Sequence, residues 1–194
     1  RVTGPSVSDN ALGAAILAAV PYCLAQLGIR LQCNLALLGS VRALQRGNHE
    51  GLRFFLDHAQ RPIDCGVVVE SIQLGRANYL SVGKIRGDII CNVRHDRLGD
   101  GAKNALVVVN HIINRMLSIP VPSQPYTKIR LGRMQGGLSY DTEPDRAELG
   151  FEVVSHSDEL IEDIHRQLQD IVAELAAQHG VDLRHALVAQ RIVG

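Results

Sequence analysis

The sequence contains no tryptophan, and its 194 residues include only three phenylalanines and four tyrosines. Flat platforms on which nucleobases could stack are therefore scarce. Charge of one sign is missing too: 20 Lys and Arg balance 20 Asp and Glu. No long-range field draws such a chain to nucleic acid or to an anionic membrane, and neither partner is expected. A clean apolar span is also lacking. The longest candidate, Ala11 to Leu31, is interrupted by Pro21, Gln26 and Arg30 and is too rich in alanine to cross a bilayer convincingly. Cysteine is sparse, with four residues at 23, 33, 65 and 91, and no two have the spacing of a zinc knuckle or a redox pair. Most of them fall in apolar runs, so they read as reduced packing residues. With no signal-peptide pattern, this points to the cytoplasm. Arg rather than Met at position 1 leads us to expect a piece of a longer chain.

What is present is a chain 46% hydrophobic, of a length that suits one domain or two modest ones. Asp9 to Leu27 reads as a helix, capped by Ser8 or Asp9, bent at Pro21 and stopped at Gly28. A short apolar strand is expected inside "RLQCNLALLGSV" (30–41). A helix should start from a capping Asn48 in "NHEGLRFFLDHA", and "DCGVVVES" (64–71) is a continuous apolar run suited to a strand covered on both faces. Helix, strand, helix, strand implies α/β layering around a mostly parallel sheet, only partly contained in residues 1–80. Such a partial sheet should leave apolar surface uncovered.

The pattern changes near residue 76. "RANYLSVGKIRGDIICNVRH" (76–95) alternates as an antiparallel strand does, and "DGAKNALVVVNHIINRMLSI" (100–119) is an amphipathic helix closed by Pro120 and Pro122. Its stripe of Leu106, Val109, Ile112, Ile113 and Met116 reads as core. Strands follow at about 126–133 and 147–155, around a turn at Gly136 and Gly137. Ser157 then caps a second long helix that ends at Gly180. The β-α-β-β-α order predicts an α+β unit over 81–182, an antiparallel sheet with two helices on one face, ferredoxin-like. Residues 183–194 read as a segment returning toward the first unit.

These two units in this order resemble the two-zinc exopeptidases of the aminoacylase, carboxypeptidase and tripeptidase family, in which a smaller lid or dimerisation domain interrupts an α/β catalytic domain. Three stretches carry the likeness in the lid: "GKIRGDIICNVRH", "GAKNALVVVNHII" and "IRLGRMQGGLSYDTEPDRAEL". In the first unit, "GPSVSDNALGAAILAA" is similar to the family's Gly-x-Gly-x-x-Asp-Asn-x-x-Gly stretch, whose acid bridges both zinc ions. The resemblance implies zinc as cofactor, a homodimer joined through the lid, and a small peptide or amino-acid derivative as ligand. It sets Asp9 on the bridging acid, Glu70 on a zinc-binding carboxylate, and His95 on a lid histidine that reaches toward the partner's active site.

The same alignment exposes gaps. With Gly51-Leu52-Arg53 on the family's helix signature, the general-base glutamate falls on Ala43 and a zinc-ligand glutamate on Leu44. Ala43 accepts no proton and Leu44 offers no lone pair; losing a positioned base alone costs about 10²–10⁴ in rate. A substrate-holding lid asparagine is replaced by Asp141, and an arginine that grips the substrate carboxylate by Val154. Glu50, next to His49, is a candidate displaced base. Plain readings stand beside each role: Asp9 as a helix cap, Glu70 as a solvated strand-end acid, His95 as a loop histidine beside Asp96, and Glu50 as a first-turn acid favoured by the helix dipole. The expectation is a family homologue with a degenerate metal site, dimeric and non-hydrolytic. The alternatives are an active metal-dependent hydrolase with rearranged residues and a structural or regulatory dimer with no ligand.

Overall fold

The computed structural model describes residues 10–43, 45–70, 75–93 and 103–194. The chain divides into two compact units, Arg1–Asn78 and Tyr79–Gly194.

In the first unit α1 runs Leu12–Gln26 with Pro21 inside it. The expected caps, Ser8 and Asp9, lie outside the described residues, and Ala11 at the N-cap makes no side-chain bond. The C-terminal stop is as expected: Gly28 takes φ 64°, and the Ile29 N–H donates back to the Leu24 carbonyl at 3.0 Å. Helix α2 spans Glu50–Asp57. Asn48 does not cap it; His49 holds the N-cap position in a left-handed conformation with no side-chain bond.

The parallel sheet expected here is not found among the described residues: neither 30–41 nor 64–70 is paired as strand. The physical reason is coverage. A continuous apolar strand is stable only when neighbours hide both its faces, and Val67 and Val68 stand 82% and 74% exposed. Cys23, Cys33 and Cys65, expected as packing residues, are exposed for the same reason. Cys91 alone of the four is buried, and burial, followed by nearby Asp182, pushes its thiol up to about 11.

The second unit holds the core. Its elements are β1 (Gly83–Asn92), α3 (Ala105–Leu117), β2 (Thr127–Gly136), β3 (Arg146–Ser155), α4 (Asp158–His179) and β4 (Asp182–Arg191). The sheet runs β2-β3-β1-β4 with every neighbouring pair antiparallel, which is the ferredoxin-like βαββαβ arrangement. Residues 183–191 thus form most of an edge strand of this sheet, where a return segment was expected. The alternation of that stretch is blurred by Arg184, His185 and Gln190, and half of an edge strand faces solvent anyway.

Both helices begin on side-chain caps. Asn104 Oδ1 accepts from the Leu106 and Val107 N–H groups at 2.9 and 3.3 Å, and Ser157 Oγ accepts from Leu160 N–H at 3.3 Å. Gly180 closes α4 in a left-handed conformation at φ 58°. Val109, Ile112 and Met116 of α3 are fully buried against Ile85 and Ile89 of β1, Leu149 and Val153 of β3, and Leu168 of α4. Each such side chain contributes about 1.5–3 kcal/mol by leaving water. Among the described residues no helix is long and apolar enough to cross a membrane.

Candidate functional site

Of the residues that the sequence singles out, Asp9, Leu44 and His95 lie outside the described residues. Ala43, which the resemblance sets on the general base, is half-buried. The turn around it is tightly wound. Arg42, Asn48 and His49 all take positive φ, at 55°, 45° and 58°, a conformation that costs non-glycine residues about 1–2 kcal/mol each. Gly51 approaches so closely that an added Cβ would stand 2.8 Å from the Val41 carbonyl oxygen. This winding delivers Glu50 to Arg42, with Oε2 and NH1 2.9 Å apart and both side chains largely in water. Glu50 is therefore engaged in an exposed ion pair, worth little to stability.

Glu70 is exposed at the end of the 64–70 stretch. One contact puts this stretch beside the start of α1: Gly13 is buried, and a Cβ on it would meet the Val69 carbonyl oxygen at 2.7 Å. Only glycine admits that approach. The fold thus sets the residue before Glu70 against the first turn of α1, shortly after Asp9 in sequence.

Asp141 lies in the second unit, in the exposed loop between β2 and β3. The Ser139 hydroxyl donates to its Oδ1, and Thr142 donates at 3.5 Å. The Ser139 bond, with lesser help from backbone and Thr142, holds the Asp141 carboxyl below the usual carboxylate range. It is a satisfied loop acid that can accept from a donor on a ligand.

Zinc needs at least three converging His, Cys or carboxylate donors. Among the described residues no group of three or more such side chains could hold a metal ion. Among the described residues Glu70 and Glu50 are not joined by further ligands, and Ala43 has none to give. The described residues do not fit a zinc site.

The open face of the second unit's sheet carries a lattice that sequence reasoning passed over. Glu152 on β3 accepts from Arg86 of β1 at 2.6 Å and from Arg130 of β2 at 2.9 Å. Burial alone would push its carboxyl up, but the two guanidinium bonds outweigh that and hold it low. Arg133 reaches both Asp88 and Glu148 at 3.2 Å. The alternation of these residues is visible in the sequence; their pairing depends on strand register, which is not.

No family model and no curated protein matches this chain. Solved structures do match it. The aminobenzoyl-glutamate utilization protein from Klebsiella pneumoniae aligns at TM-score 0.54 and 19% identity, covering 58% of this chain and 29% of that one. An amidase of the hydantoinase/carbamoylase family from Burkholderia vietnamiensis aligns at TM-score 0.53 and 19% identity, covering 59% and 29%. The likeness is one of fold. It covers a share of this chain about the size of its second unit, and the chain spans less than a third of the length of either relative.

Proposed function

We propose that this chain is a homologue of the two-zinc exopeptidases and amidases whose metal centre is degenerate. In this reading the second unit is the lid, it joins two copies of the chain into a dimer, and the protein binds a small peptide or amino-acid derivative without hydrolysing it. Several observations support it. The chain shares its fold over 59% of its length with an amidase of the hydantoinase/carbamoylase family, and three of the motif resemblances fall in the second unit. Gly13 lies against Val69, so the first turn of α1 adjoins the stretch that ends in Glu70.

The single observation that carries the degeneracy is Ala43, an aliphatic side chain where hydrolysis needs a proton acceptor. Glu50, the nearest acid that could substitute, is paired with Arg42. Metal analysis combined with a turnover assay on dipeptides and N-acyl amino acids tests the reading. The expected result is fewer than two zinc equivalents per chain and no turnover. Two equivalents with turnover abolished by Glu50→Gln would establish a working hydrolase instead.

A further inference from the structure

The chain as a whole is neutral, but the open face of its sheet is not. Strand register assigns every side chain on that face to a row. The first row runs Arg191, Lys84, Val154, Lys128 across β4, β1, β3 and β2, and the second runs Ala189, Arg86, Glu152, Arg130. These two rows hold five cations and one acid. Beyond them the face is balanced: Arg133, Arg146 and Arg184 stand with Asp88, Glu148 and Asp182. The whole excess of positive charge is at one corner.

The arrangement inside that corner is specific. Arg86 and Arg130 are clamped from two sides onto Glu152, which fixes their guanidinium planes. Arg191 is anchored by donating its Nε and NH2 to the Val82 carbonyl at 3.0 and 2.8 Å. Lys84 sits between them, half-buried, with no ion pair among the described residues. Val154 and Ala189, both nearly buried, form a low apolar floor between the longer side chains.

We propose that this corner binds a compact oxyanion carrying two or more negative charges, seated over Val154 between Lys84, Arg191, Lys128 and the outer edges of Arg86 and Arg130. Carboxylate and phosphoryl oxygens present the same acceptor geometry to guanidinium forks, so the shared chemistry is a multivalent oxyanion. Its small size follows from the charge map. At the strand spacing of about 4.8 Å, four strands and two rows make a patch about 14 Å by 7 Å, and the balanced rows beyond give an extended polyanion no track to follow. The crowding has an electrostatic signature as well. Burial, then Arg191 and Arg86, press the Lys84 ammonium below its ordinary value, which a bound anion would relieve.

The inference is argued from the second unit alone and does not need the metal-centre reading, though its seat, Val154, is the position that the resemblance sets on a carboxylate-gripping arginine. It is tested by calorimetric titration of the 194-residue protein at low ionic strength with pyrophosphate, with tricarballylate and with acetate. Saturable one-to-one binding of either multivalent anion, with none of acetate, is expected; whichever binds tighter identifies the source as phosphoryl or carboxylate. Lys84→Gln and Arg191→Gln should each weaken it about tenfold or more, the loss of one charge-assisted hydrogen bond. Arg184→Gln, at the balanced end, should leave it unchanged. Absence of saturable binding, or equal weakening by Lys84→Gln and Arg184→Gln, overturns the proposal. So would tight binding of an oligoglutamate peptide with none of the small anions.

Discussion

His185 on β4 shows how one side chain records its surroundings. It lies between the Phe151 ring, stacked at 5.7 Å, and the His165 ring of α4 at 5.0 Å. The Nε2 atoms of both histidines are buried without a hydrogen-bond partner among the described residues. Burial first, and the neighbouring His165 second, lower the pKa of His185. The fold thus favours the neutral ring, while the unfolded chain protonates it at about 6.5. Its contribution to stability is complete above that value and is lost as pH falls through the unfolded pKa toward the depressed folded one. Urea midpoints measured from about pH 7 down to about pH 5 should fall more steeply for the natural protein than for His185→Gln. Equal slopes would mean that this ring does not sense the fold.

At the scale of the element, β1 is pinned by what its glycine omits. Gly87 follows the register shift between β1 and β4, and the Phe151 ring lies over it: an added Cβ would meet Phe151 Cζ at 2.7 Å and the Ala186 carbonyl oxygen at 3.1 Å. The ring fills the space that a side chain would take and cannot retreat, since it is itself buried. Gly87→Ala should therefore destabilise the protein by about 1–3 kcal/mol, the usual penalty of overpacking, read as a lower denaturant midpoint with unchanged slope. Gly132, at the register shift between β2 and β3, where an added Cβ has no neighbour closer than 4.0 Å, is the matched control.

For the whole molecule the deciding fact is where the core lies. The contiguous hydrophobic cluster, from Ile85 to Leu175, belongs wholly to the second unit, while α1 buries only Gly13 and α2 buries no residue. The second unit should thus fold without the first. A fragment of residues 79–194 is expected to keep its far-UV dichroism and one cooperative thermal transition; a fragment without either would show that the first unit supplies essential packing. The sequence by itself determined the helices α3 and α4 and the strands β1 to β3, because Asn104, Ser157, Gly180 and the apolar alternation are local signals that the backbone obeys locally. It also determined that Ala43 stands where the resemblance wants a base, since that needs only chain order. The tertiary structure alone decided that β4 closes the sheet, that three of the four cysteines face water, that Glu50 is tied to Arg42, and that five cations share one corner. Each of these depends on which distant residue lies opposite, and strand register and coverage are set by the packing of the whole fold rather than by neighbours in sequence.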